Sequence, residues 1–233
     1  LVAENLLEGR IGTLIAMNPN NGEILAMVSK PSFDPNNFIS RIPAKDWQEL
    51  INNPASPFMN RAIQATYSPG SIFKIIMAYA AMSEGKIDPS EYIFCNGELT
   101  MYDRVFHCSH KGGHGYVNMS AAIQSSCNIY FYLLGKQLGA DTISRHAHEL
   151  GLGEKTDVDL PGERSGLVPD TAWKRKRYNK PWYIGETVNL AIAMHYRAEL
   201  GPDRIFVLQA KLRERVPERV RLPLRPMPRT LFA

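Results

Sequence analysis

Residues 11–17 and 23–29 run apolar over strand length, and Asn18-Pro19-Asn20-Asn21-Gly22 between them are turn residues. The pattern predicts a hairpin that opens an antiparallel sheet. Leu1, Val2, Leu6 and Leu7 are spaced for a short helix lying on it. Residues 31–60 carry Pro31, Pro35, Pro43, Pro54 and Pro57 among several asparagines and read as loop, interrupted by a short helix around 44–51. The pattern then changes. Pro69-Gly70 breaks any preceding element, and residues 72–82 are rich in Ile, Met and Ala with Lys74 as the only charge. A buried helix starting at Ser71 and stopped by Gly85 is predicted. Residues 86–117 read as irregular and polar. Residues 119–124 and 128–138 read as helices joined at Ser125-Ser126-Cys127-Asn128 and closed by Gly139, and a further helix over 142–150 is capped by Asp141 and ended by Gly151. Loop predominates from Gly151 to Asn189.

Composition narrows the class. At 233 residues and 44% hydrophobic content the chain has ample core for one large domain. The net charge of +4 is mild and the basic residues form no single stripe, which argues against nucleic acid as a partner. The run Lys174, Arg175, Lys176, Arg177 and Lys180 reads as a solvated face, ahead of a surface for an acidic partner. His146 and His148, two apart on a helix, point to different sides and read as solvent-exposed. No stretch approaches the roughly 20 apolar residues of a membrane span, and none has the layout of a signal peptide. The chain opens at Leu1 and so reads as an excerpt of a longer protein. Beyond about residue 194 its character shifts, with eight arginines against a single lysine and prolines 217, 223, 226 and 228. The expected division is 1–192 as a domain and 193–233 as a disordered or foreign tail.

Residues three apart share a helix face, so Ser71 and Lys74 set a hydroxyl beside an amine in the first turn. A lysine on a largely apolar helix loses hydration, which lowers its pKa and suits it to act as a neutral base toward a serine nucleophile. The free N–H groups of the first turn would face an oxyanion forming there. Standing against this is the plain alternative of Ser71 as a cap and Lys74 reaching to water. Cys95, Cys108 and His114 are the best metal trio of the polar segment, which also holds His107 and His110. Three readings stand open for it: zinc, a Cys95–Cys108 disulfide, or free residues on a long loop. Cys127, in an apolar segment, reads as a small buried hydrophobe.

A second constellation, Ser126-Cys127-Asn128, lies downstream of Ser71-Ile72-Phe73-Lys74. Together they resemble the Ser-X-X-Lys and Ser-X-Asn motifs of the penicillin-binding and serine β-lactamase superfamily. The segments Ala16-Met17-Asn18-Pro19, Gly22 to Ser29, Phe33-Asp34-Pro35-Asn36, Asn60-Arg61-Ala62 and Tyr67 to Lys74 are similar to class B penicillin-binding proteins. Gly113-His114-Gly115, Asp159-Leu160-Pro161-Gly162-Glu163 and Lys180 to Thr187 resemble the elongation type, penicillin-binding protein 2. The resemblance covers about residues 10–192.

The resemblance implies an α+β fold of the β-lactamase/transpeptidase type, an antiparallel sheet with a helical cluster. It implies a D,D-transpeptidase that cross-links peptidoglycan in cell-wall elongation, acting at the extracytoplasmic or periplasmic face of the cytoplasmic membrane without a cofactor. Ser71 would attack the D-Ala-D-Ala carbonyl of a stem peptide, Lys74 would be its base, Ser126 would pass a proton to the leaving amine, and Asn128 would orient the substrate amide. β-Lactams would acylate the same serine. The family's full-length proteins have a membrane anchor and work beside an elongation polymerase. The third motif, Lys-Thr-Gly, is absent: Lys155-Thr156-Asp157 is too early and lacks the glycine, and Ala193-Met194-His195 stands where the family continues Gly-Gln-Gly. A shift of reading frame or a faulty gene end would produce both departures and leave the sheet incomplete at its C-terminal side. Two other readings follow, an inactive remnant or β-lactam-binding sensor, and a serine β-lactamase. For the latter, Glu186-Thr187-Val188-Asn189 has the wrong spacing for a deacylating base.

Overall fold

The hairpin forms around its turn residues: β1 (Gly12–Met17) and β2 (Ile24–Lys30) pair antiparallel with Ile15 opposite Met27, and a bulge at Ala16/Met17 leads into the turn. The structure, a computed structural model, describes residues 1–39 and 41–193. The Arg/Pro-rich tail expected from 193 onward therefore lies outside the described residues, apart from Ala193, which is buried. A short helix α1 (Val2–Leu6) lies against β2. The loop region carries α2 (Ala44–Ile51), and α3 (Arg61–Gln64) then packs Ala62 and Ile63 onto Ile15 and Met27 of the hairpin. Among the described residues this sheet is two-stranded.

The main core is helical. A 3-10 turn (Gly70–Phe73) runs into α4 (Lys74–Ser83), so the regular α-helix begins three residues after Ser71 and not at it. Gly85 ends α4 as its missing Cβ allows: φ is +60°, Gly85 N–H donates to Met82 O and Lys86 N–H to Ala81 O, the paired bonds of a Schellman cap. Around α4 pack α5 (Met119–Gln124), α6 (Asn128–Leu138) and α7 (Ala140–Glu149). Phe73, Ile76, Met77, Phe131, Leu134 and Ile143 form the fully buried centre of this cluster.

Four expectations are corrected. Residues 86–117 are not irregular: β3 (Ile93–Cys95) pairs with β6 (Gly115–Val117), and β4 (Glu98–Met101) with β5 (Arg104–His107). The β4–β5 turn is Tyr102-Asp103, both at positive φ, a hairpin conformation that usually announces itself with glycine or asparagine. Residues 151–189 contain α8 (Thr171–Tyr178), capped by the Asp170 carboxylate on Trp173 N–H and closed by left-handed Asn179, and α9 (Ile184–Leu190). His146 is buried between α4 and α7, its two ring nitrogens 2.8 Å from carboxylate oxygens of Glu84 and Glu149, while His148 is exposed as expected. Lys174 does not join the solvated basic face; it is buried, paired with Glu186 and set over the Tyr183 ring. In both cases a long-range carboxylate partner stabilises burial that side-chain polarity alone forbids.

α9 locks the bundle. The Cα of Gly135 on α6 faces α9 so closely that a Cβ there would lie 2.7 Å from Ala191 Cβ, and Ser68 in the turn before Ser71 donates its hydroxyl to Ala193 O. The residues just after α9 thus reach the segment that carries Ser71.

Candidate active site

Ser71 is exposed in the 3-10 turn, and Lys74, three residues on, is buried at the first position of α4 with 2% of its surface exposed. The ammonium has three hydrogens and three acceptors: Ser126 O at 2.8 Å, Ser126 Oγ at 2.9 Å and Asn128 Oδ1 at 2.7 Å. Ser126 Oγ in turn lies 2.8 Å from Ser71 Oγ. The four residues singled out in the sequence therefore meet, and a continuous polar path runs from Lys74 through Ser126 to Ser71.

Ser126 is placed by a strained backbone. Its N–H donates to Ile123 O and Cys127 N–H to Ala122 O, the Schellman pattern that ends α5, and Ser126 occupies the left-handed position with φ +55°. Glycine is the default residue there, and a residue with a Cβ costs roughly 1 kcal/mol. Asn128 follows at the first residue of α6, with its Nδ2 3.4 Å from His107 O. Tyr132 donates to the same carbonyl, and the Ser109 hydroxyl donates to Ser126 O, so the strand end 107–109 braces the Ser126–Asn128 segment.

Burial pushes the Lys74 pKa down from 10.5 to about 8, against an upward pull from the Cys108 and Cys127 sulfurs. A neutral amine keeps two hydrogens for Ser126 O and Asn128 Oδ1 and turns its lone pair to Ser126 Oγ. The hydroxyls can then reverse, and the path that carried donation away from Lys74 carries the Ser71 proton toward it.

Behind this site stands a second group. Cys95 closes β3, Cys108 follows β5, His114 precedes β6 and Cys127 precedes α6; their donor atoms all lie within 4.8 Å of one another. Cys108 Sγ is 3.3 Å from His114 Nδ1 and 3.9 Å from Cys127 Sγ, and Cys95 Sγ is 3.8 Å from His114 Nδ1. Ligands about 2.3 Å from a tetrahedral zinc stand about 3.7 Å apart, so the set has the size and chemistry of a Cys3His site. Two glycines permit it: a Cβ on Gly113 would lie 2.2 Å from Cys95 O, and one on Gly97 2.2 Å from Lys111 O. Cys127, which the sequence trio did not include, is fully buried in the core as read from its apolar neighbours, and its Sγ also joins the group. All three cysteines are free thiols, so the Cys95–Cys108 disulfide weighed above is not formed. Burial works against ionisation of Cys108, but backbone N–H groups of His110, Ile129 and Asn128 outweigh it and lower its pKa, whereas burial raises that of Cys127.

A cavity of about 590 Å³ lined by Glu4, Glu8, Arg10, Lys30 and Asn53 lies beside α1 and includes none of these residues. Ser71, Lys74, Ser126 and Asn128 gather instead where α4 and α6 begin.

The penicillin binding protein transpeptidase domain family matches residues 12–198. Peptidoglycan D,D-transpeptidase MrdA of Acinetobacter baumannii is 41% identical over 194 residues, covering 82% of this chain and 29% of that protein. MrdA of Escherichia coli K12 is 37% identical over 195 residues, covering 83% and 31%. The chain thus spans less than a third of the length of these relatives. Pseudomonas aeruginosa PBP2, solved in complex with WCK 5153, superposes with a TM-score of 0.84 at 36% identity over 90% of this chain and 48% of that one. Helicobacter pylori PBP2, solved in complex with MreC, gives 0.83 at 33% identity over 87% and 38%. The neighbours place the α+β architecture in the transpeptidase-like fold.

Proposed function

Because the chain belongs to the penicillin-binding protein transpeptidase family, we propose that it carries the nucleophile half of a peptidoglycan D,D-transpeptidase of cell-wall elongation. Its place is the extracytoplasmic face of the cytoplasmic membrane, in a longer parent that works with an elongation polymerase. What carries this reading is the unbroken path from Lys74 Nζ through Ser126 Oγ to Ser71 Oγ, with contacts of 2.9 and 2.8 Å. Ser71 Oγ attacks the carbonyl of a D-Ala-D-Ala stem peptide as its proton passes by Ser126 to neutral Lys74. Ser126 returns the proton to the departing D-alanine amine, leaving an acyl-serine for the acceptor amine of a neighbouring strand. Asn128, anchored to Lys74 and His107 O, would hold the substrate amide. A β-lactam acylates Ser71 by the same first step and stays bound.

The sequence contains no Lys-Thr-Gly, the motif whose strand supplies an oxyanion donor in the family. Loss of one such donor typically costs about 10²–10³ in rate. A fluorescent penicillin should therefore label this chain at least about 100-fold more slowly than a relative with that motif. The label should map to Ser71 and vanish in Ser71→Ala. Label that persists in Ser71→Ala would sink the assignment. No label at all after prolonged incubation would favour the inactive remnant, and rapid stoichiometric labelling would show that the Lys-Thr-Gly motif is not required.

The Cys95, Cys108, His114 and Cys127 group would hold one zinc ion in a structural role, fixing the segment Ser126–Asn128 against the β3–β6 strands. Zinc content near one ion per chain after purification, and a fall in melting temperature on chelation, are the expected results. Neither occurring would remove the metal from the account.

A further inference from the structure

Three thiols in a common cluster have a second chemistry besides metal binding. Cys108 Sγ lies 3.9 Å from Cys127 Sγ, a van der Waals contact that needs about 2 Å of closure to become a disulfide of about 2.05 Å. The three cysteines are unequally tethered. Cys108, 8% exposed, leads directly into the exposed loop Ser109–Lys111, and Cys127, fully buried, sits at the junction between α5 and α6, so a change of side-chain rotamer and a small shift of the loop side would bring the two sulfurs together. Cys95 is held within the β3–β6 ladder, opposite Gly115. A bond between Cys108 and Cys127 would fasten the strand end that already braces Ser126 and Asn128 to the residue between them.

We infer that Cys108 and Cys127 are an oxidative modification site, forming an intrachain disulfide whenever no metal ion holds the cluster. The oxidant is a low-molecular-weight disulfide of the glutathione class. Cys108 sulfur attacks it, making a mixed disulfide and expelling one glutathione thiolate. Cys127 sulfur then attacks Cys108 Sγ in that mixed disulfide and expels the second glutathione thiolate. Two protons pass to solvent, two protein thiols are oxidised, and one glutathione disulfide is reduced. Formation in the cell rests on the extracytoplasmic placement proposed above, since only an oxidising compartment sustains such bonds. The reaction itself does not depend on that placement.

The test uses the full chain under native conditions. Metal is removed with a chelator, oxidised glutathione is added, and the reaction is quenched by acid and alkylated before peptide mass mapping. The expected result is a linked Cys108–Cys127 peptide pair with Cys95 alkylated, retained in Cys95→Ser and lost in Cys127→Ser. Preloading with zinc should slow the linkage by at least tenfold. Three alkylated cysteines after exposure, or bridges made mainly by Cys95, would overturn the proposal. Linkage at the same rate with and without zinc would uphold the disulfide and overturn the zinc reading. Because the readout is a covalent map, it is independent of whether Ser71 reacts.

Discussion

Raising the pH from 7.5 to 10.5 should stabilise the folded chain through Lys74, and the size of the gain follows from its burial. In the fold the ammonium is pushed from 10.5 to about 8 by desolvation. At 1.36 kcal/mol per unit the gross effect is about 3 kcal/mol, and the part of it that falls between pH 7.5 and 10.5 is about 2–3 kcal/mol. The sign is set by proton counting. Between pH 8 and 10.5 the unfolded chain binds more protons at this residue than the folded one, so stability rises with pH. Below that window both states are charged and the penalty is constant; above it both are neutral and the gain is complete. Tyr130 and Cys127, pushed up to about 12, act with the opposite sign at the alkaline end, because deprotonation favours the unfolded chain. Urea unfolding of the parent and of Lys74→Met, in reductant at pH 7.5, 9 and 10.5, cancels those contributions. The parent should gain about 2–3 kcal/mol relative to the variant across the series. A difference that stays flat would mean that the ammonium is not desolvated by the fold, and the argument for a neutral base at Ser71 would lose its foundation. The same shift leaves about one Lys74 in ten neutral at pH 7 and about nine in ten at pH 9, so any labelling of Ser71 should rise roughly tenfold between them.

Replacing left-handed Ser126 by glycine should raise stability by about 1 kcal/mol while abolishing Ser71 labelling, because the backbone relaxes as the relay hydroxyl is lost; loss of both together would mean that the hydroxyl's contacts outweigh the strain. Gly135→Ala should lower stability by about 1–3 kcal/mol, since the new Cβ must push α9 away from a 2.7 Å contact with Ala191, and an unchanged denaturation midpoint would refute the packing argument. Tyr130→Phe should leave stability unchanged or raise it by up to about 1 kcal/mol, because the buried Tyr130 hydroxyl has no hydrogen-bond partner among the described residues; a fall of more than about 1 kcal/mol would point to a partner beyond them.

Local pattern determined a good deal of this protein. Turn residues 18–22 fixed the β1–β2 hairpin, Gly85, Gly139 and Gly151 marked where α4, α6 and α7 end, and the three-residue spacing of Ser71 and Lys74 put them on one turn. These features depend on φ/ψ preferences and periodicity over a few residues, which a sequence states directly. The Ser126–Asn128 pair was legible through its resemblance to a family, since no local rule ties it to a lysine 52 residues earlier. Tertiary structure decided the rest. Polar α8 has no apolar stripe to announce it, and the β4–β5 turn uses Tyr102-Asp103 where glycine or asparagine would have signalled a hairpin. His146 and Lys174 read as exposed because their partners, Glu84 and Glu186, are supplied by other segments. Cys127 read as a hydrophobe because its companions come from β3, the end of β5 and the entry to β6. Burial of a charge and convergence of donors are properties of distance in space. Chain order constrains that distance only over the first few neighbours, and beyond them the packing of α4, α5 and α6 sets it.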